Sequence, residues 1–134
     1  MDSFHLVVIS INRIFYDGPC LQLQVPASNG LLGIMAHHEH AVIGIVSGEM
    51  NMQHMDGSWK NAYCGNGYVK IGDNTVYLIV DTVELPEEID ERRAQEAKER
   101  AEERLRQNQS LLEYYHTQAS LARAMERLKV KRHH

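Results

Sequence analysis

Four arginines carry the sharpest chemistry in this chain. Arg93 and Arg100 stand two helical turns apart on one face, and Arg123 and Arg127 stand one turn apart further along. If the two segments are antiparallel helices, the four guanidinium groups converge, and their planar forks match the oxygens of a phosphate. Asp90 lies one turn before Arg93, placed to pair with it or to accept from an amino or hydroxyl group of a ligand. The same residues also read as solvated helix charges among Glu neighbours, each pair worth a few tenths of a kcal/mol. On pattern alone that plainer reading is the favoured one.

The second polar cluster is His37, His38, Glu39 and His40. Adjacent loop residues do not easily converge on one tetrahedral ion, and no cysteine pair supports them, so they read as a surface loop and not a metal site. His5, His54 and His116 are lone, and no nucleophile, base and orienting group fall in one neighbourhood, so the chain is not expected to be an enzyme. Met50, Met52 and Met55 near Trp59 are core filler where they face inward and a partner contact where they do not.

Two kinds of element must hold these groups. Residues 1–85 contain most of the Val, Ile, Leu and Met, in short runs punctuated by turn signals. His5 to Ile11 reads as a strand, with Asp17-Gly18-Pro19 a turn after Ile14-Phe15-Tyr16. Leu21, Leu23 and Val25 share one face of a strand that Pro26 ends. Ala41 to Val46 is another strand. Asp56-Gly57 is the strongest hairpin signal, suited to a type I′ turn. Gly72-Asp73-Asn74 marks a further hairpin, before Thr75 to Val80 as a central strand. Short strands at such spacing predict an antiparallel sandwich or barrel.

Residues 86–134 change to helical period. Pro86 suits a first helical position, with Glu87, Glu88 and Asp90 at the positive end of the dipole. The first helix offers a narrow, mostly alanine face of Ile89, Ala94, Ala97, Ala101 and Leu105, which predicts close approach but weak docking. A break falls near Gln107-Asn108-Gln109-Ser110. Ser110 with Glu113 reads as a capping box for a second helix, whose apolar stripe is Leu111, Tyr115, Ala119, Ala122 and Met125. The short connection implies an antiparallel hairpin.

The net charge of −4 argues against a general nucleic-acid binder. Cys20 and Cys64 are far apart and read as reduced core residues. No signal peptide and no run of roughly 18 apolar residues is present, so no direct membrane insertion is expected and a membrane link runs through partners.

At this point the chain resembles the epsilon subunit of the rotary F-type ATP synthase, over essentially its whole length. The resemblance rests on Val25-Pro26-Ala27-Ser28-Asn29-Gly30-Leu31-Leu32-Gly33-Ile34, His38, and Asp81-Thr82-Val83-Glu84. Ile89-Asp90-Glu91-Arg92-Arg93-Ala94, the run from Ala97 to Leu105 and the closing run from Ala122 to Val130 complete it. Where the family often has prolines flanking the loop histidine, this chain has Ala36-His37-His38-Glu39-His40.

The resemblance implies an α+β chain with a ten-stranded antiparallel β-sandwich and a C-terminal two-helix hairpin. It implies a rotor attachment for the sandwich, to the gamma subunit and the membrane c-ring, with Ser28, Asn29, Gly30, Leu31 and His38 as contact residues. The hairpin would inhibit ATP hydrolysis when it extends to the alpha and beta subunits. In the folded state it would bind ATP, with or without Mg2+, through Ile89, Asp90, Arg93, Arg100, Arg123 and Arg127, with Glu84 a further nucleotide contact. No G-x-x-x-x-G-K-[ST] loop occurs, so that ATP would be a regulatory ligand and not a hydrolysed one. The implied location is the cytoplasmic face of the bacterial cell membrane, as a peripheral protein. The alternative is a stand-alone nucleotide-sensing or helix-docking module.

Overall fold

The computed structural model describes residues 2–106 and 111–134. Ten strands come first: β1 (Phe4–Ile9), β2 (Ile14–Cys20), β3 (Gln22–Ala27), β4 (Gly30–Met35), β5 (Ala41–Ile45), β6 (Gly48–Gln53), β7 (Trp59–Cys64), β8 (Gly67–Gly72), β9 (Thr75–Val80) and β10 (Val83–Glu84). Their hydrogen-bonded order is β10-β7-β6-β3-β5-β8-β9-β1-β2, with β4 along the other edge of β3. β3 joins the two halves, pairing first with β6 (Leu23 opposite Met52) and at its last residue with β5 (Ala27 opposite Ile45). Alternation supplies the core: Leu23 and Val25 are fully buried with Leu6, Val8, Ile34, Met50, Met52, Val69 and Leu78. Met55 and Trp59 remain exposed, so the methionines divide as their alternation suggests.

Four local expectations are corrected. One strand pair is parallel: β1 runs alongside β9, with Val7 opposite Tyr77. These strands are separated by nearly the whole sandwich, so no short turn forces them to be antiparallel. Asp17-Gly18-Pro19 is not a turn but part of β2. β2 ends the sheet, and an edge strand tolerates the missing N–H donor of proline. Pro26 likewise stays inside β3; its carbonyl accepts from the Val46 N–H at 2.9 Å, where β6 gives way to β5. The type I′ turn lies at Asp73-Asn74, with φ of 51° and 55°, and not at Asp56-Gly57. There only Gly57 has positive φ, and the connection is held by the His54 N–H on the Ser58 carbonyl. Asp and Asn reach the left-handed region more readily than other side-chain-bearing residues, which lets both centre a two-residue hairpin.

The helical arm follows as a 3₁₀ turn (Pro86–Glu88), α1 (Glu91–Arg106) and α2 (Leu111–His133). Pro86 therefore opens the 3₁₀ turn and not the α-helix. Ile89 is extended and buried against Tyr63 and Val130, which interrupts the helix. Asp90 then caps α1: its Oδ1 accepts from the Arg93 N–H at 3.1 Å. The helices are antiparallel, since Arg132 near the end of α2 reaches Glu91 (3.2 Å) and Gln95 (3.3 Å) at the start of α1. The break near Gln107 and the Ser110–Glu113 box lie outside the described residues, as does the side chain of Leu111.

The inward face of α2 is also corrected. Tyr115 (60 % exposed) and Met125 (50 %) point outward with Ala119 and Ala122, whereas Thr117, Ala124 and Leu128 are buried. Both stripes have helical spacing, but Thr117 hides its hydroxyl by donating to the Glu113 carbonyl at 2.8 Å. On α1 the expected face holds, with Ala94 and Ala101 buried. These alanines pack the helices together. The arm reaches the sandwich elsewhere, through Ile89 and Val130 on Tyr63, and burying each such aliphatic is worth about 1.5–3 kcal/mol. Among the described residues no helix is long and apolar enough to cross a membrane.

Candidate functional site

The folded arm encloses a cleft of about 430 Å³ with one wall from each helix and a floor at the sandwich. Arg93 and Arg100 enter it from α1, Arg123 and Arg127 from α2, and Glu84 from β10, with Ile89 and Asp90 at the hinge between body and arm. All seven residues named from the sequence for a nucleotide site thus line one space. Glu88, Ala94, Ala97, Ser120 and Ala124 complete the lining. The small side chains leave the room, because alanine at a helix seam fills little of the gap between two backbones.

The charges in the cleft are unequally engaged. Arg127 donates to Glu84 through Nε (to Oε2) and Nη2 (to Oε1), both at 3.2 Å, while its guanidinium stacks 4.7 Å from the centre of the Tyr63 ring. Partial burial is the largest single influence and opposes the Arg127 charge. The hydrogen bonds to Glu84, together with the charges of Tyr63, Glu84 and Asp81, outweigh it and hold the guanidinium above its usual value. Burial pushes the Tyr63 phenol up as well, against the lowering pull of its 2.9 Å bond to Ser47. Glu88 is turned away to Arg13, accepting at 2.7 and 3.0 Å, and Asp90 is occupied as the cap of α1. Among the described residues, Arg93, Arg100 and Arg123 have no carboxylate partner, and Arg123 donates only to Ser120 Oγ at 3.2 Å. Three guanidinium groups around one cleft, without a carboxylate partner among the described residues, are chemically able to hold an anion such as a polyphosphate.

Sequence reasoning missed Ser120, Glu88 and Tyr63. Ser120 carried a signal, since it sits three residues before Arg123 on the same helical face. Glu88 and Tyr63 carried none, because their partners are distant in the sequence.

The five residues named for rotor contact lie in two places. Ser28 and Asn29 form the β3–β4 turn, with Gly30 (φ 124°) and exposed Leu31 opening β4. His38 sits in the connection to β5, its Nδ1 on the Glu39 carbonyl at 2.8 Å. That connection lacks flanking prolines but is tied down by polar contacts. The His37 N–H donates to Asn74 Oδ1 at 2.8 Å, and His37 and His40 face Asp2 and Asp73. The loop histidines thus point to separate partners and do not converge on one point. Among the described residues no group of three His, Cys, Asp or Glu could hold a metal ion. The outer face of β5, β8 and β9 exposes Val42, Tyr68 and Tyr77 as a mostly apolar patch around Lys70.

Comparison with known proteins agrees with this architecture. Residues 3–86 match the family model for the beta-sandwich domain of the ATP synthase delta/epsilon chain, and residues 87–132 match its long alpha-helix domain. The ATP synthase epsilon chain of Caldanaerobacter subterraneus subsp. tengcongensis is 39% identical over 128 residues, 96% of this chain and 93% of the relative. That of Ruminiclostridium cellulolyticum is also 39% identical, covering 96% and 95%. A chain in the Euglena gracilis mitochondrial ATP synthase OSCP/F1/c-ring structure shares the fold, with a TM-score of 0.75 at 17% identity, over 97% of this chain and 78% of that one. A chain of the Tetrahymena thermophila mitochondrial ATP synthase central stalk/c-ring structure does so with a TM-score of 0.66 at 12% identity, covering 95% of each. A sandwich ending in a helical hairpin, matched over both parts and nearly end to end, makes this chain a member of the ATP synthase delta/epsilon chain family, and as an epsilon chain a non-catalytic subunit.

Proposed function

We propose that the chain serves in the central stalk of a proton-driven rotary ATP synthase, where its arm restrains ATP hydrolysis and ATP binding favours the folded arm. The sandwich fastens to the gamma subunit and the c-ring. The apolar patch of Val42, Tyr68 and Tyr77 supports this, because contiguous exposed apolar surface of that kind marks a partner site. The chain lies at the cytoplasmic face of the membrane as a peripheral protein, held by those partners.

One observation carries the reading: among the described residues, Arg93, Arg100 and Arg123 face one cleft without carboxylate partners, and the cleft has a wall from each helix. Such a site exists only while the helices are packed. A ligand that binds only this state stabilises it by mass action. When the arm opens, it carries Lys129, Lys131 and Arg132 outward, a basic end suited to an acidic patch on the alpha and beta subunits.

Calorimetric titration of ATP into the isolated chain tests the site. Arg93→Ala and Arg123→Ala should each weaken binding by about tenfold or more, the worth of a charge-assisted hydrogen bond. Unchanged affinity in both variants rules the site out. Truncation after Glu88 tests the arm, since it keeps the Arg13–Glu88 contact and removes both helices. In the assembled complex it should leave rotor attachment intact and raise ATP hydrolysis; an unchanged rate removes the inhibitory role.

A further inference from the structure

Glu84 and Arg127 were both named as ligand contacts, yet in the structure they hold each other. The pair is bidentate at 3.2 Å, about one-quarter to one-third exposed, and braced by the Tyr63 ring beneath the guanidinium. Tyr63 is itself fixed by its hydroxyl on Ser47. The other two acidic groups of the cleft are committed elsewhere, Glu88 to Arg13 and Asp90 to the start of α1. Glu84 is therefore the one carboxylate, among the described residues, bound to a guanidinium of the cleft.

We propose that Glu84 is a resident competitor for the anion site: it occupies Arg127 while the cleft is empty, and an incoming polyphosphate must displace it. The proposal rests on the anion-site reading above and specifies its regulation. Glu84 belongs to β10 and Arg127 to α2, so the pair also pins the empty arm to the sandwich. Ligand binding exchanges one anion for another at Arg127, and the added hold on the folded arm comes from Arg93, Arg100 and Arg123. Glu84 thereby raises the ligand concentration at which the cleft fills, since a state already satisfied internally must be broken first.

The test uses the full chain with two probes, inorganic tripolyphosphate and ATP, at fixed ionic strength. Glu84→Gln keeps the shape and removes the charge. It should tighten tripolyphosphate binding on the order of tenfold, because the charge-assisted hydrogen bonds between Glu84 and Arg127 no longer have to be broken first. Hydrogen exchange in α2 of the ligand-free variant should rise at the same time. In an Arg127→Ala background the same substitution should tighten binding much less, because the competition runs through Arg127. Equal tightening in both backgrounds overturns the proposal, as does unchanged tripolyphosphate affinity. Weakened ATP binding with unchanged tripolyphosphate binding also overturns it, by making Glu84 a contact to the base or sugar. If the wild-type chain binds neither probe, the anion-site reading itself falls, a result separate from any behaviour of the Glu84 variant.

Discussion

Val130→Ala should loosen the arm from the sandwich without damaging the sandwich itself. Val130 is 1 % exposed and clusters with Ile89 and Tyr63, which places it at the contact between arm and body. The substitution removes two carbons, at about 0.8 kcal/mol each, and leaves a small cavity at a seam that can close only in part. A total of about 2 kcal/mol follows, which is about thirtyfold in the docking equilibrium. Native-state hydrogen exchange reads this directly. The amides of α1 and α2 should exchange about thirtyfold faster, while those of β8 and β9, in the separate core of Val69, Val76 and Leu78, should keep their protection. Equal acceleration in β8 and β9 would mean that arm and body unfold as one unit. No acceleration anywhere would mean that the arm is held by contacts other than this cluster. Either result refutes the argument.

Two further outcomes follow from the electrostatics. The Arg13 hydrogen bonds, with help from the Leu85 N–H, hold the Glu88 carboxyl below its usual range. A depressed carboxyl stabilises the folded state above the ordinary carboxylate range, and that stability is lost as pH falls through the depressed value. The clamp should therefore stay closed at pH 6 and open only in acid. Carbon-detected NMR titration of Arg13→Ala should move the Glu88 midpoint upward, and an unmoved midpoint would contradict the assignment. Burial pushes the Cys64 thiol up to about 12 and raises the Cys20 thiol as well. At pH 8 both should resist an aromatic disulfide reagent until the sandwich unfolds; labelling of the native chain at free-thiol rates would show that the core opens locally.

The residues determined the local periods. Alternation placed Leu21, Leu23 and Val25 on one buried face, and the change to helical spacing after Pro86 marked the arm. The spacing of Arg93, Arg100, Arg123 and Arg127 made convergence possible, because positions three, four or seven apart share a helix face wherever the helix lies. What spacing leaves open is which face turns inward. In α2 the stripe through Tyr115 and Met125 has the same period as the one through Thr117, Ala124 and Leu128. Only packing against α1 and the sandwich chose the second.

The same limit applies to partners distant in sequence. Glu84 with Arg127, Arg13 with Glu88, and Ile89 with Val130 on Tyr63 join segments between 26 and 75 residues apart. No local pattern encodes such pairs, since they depend on how β10, β7 and α2 meet. Tertiary structure thus decided that, among the described residues, one of the four arginines holds a carboxylate and three do not. The cause is the position of β10, which brings a single carboxylate within reach of Arg127.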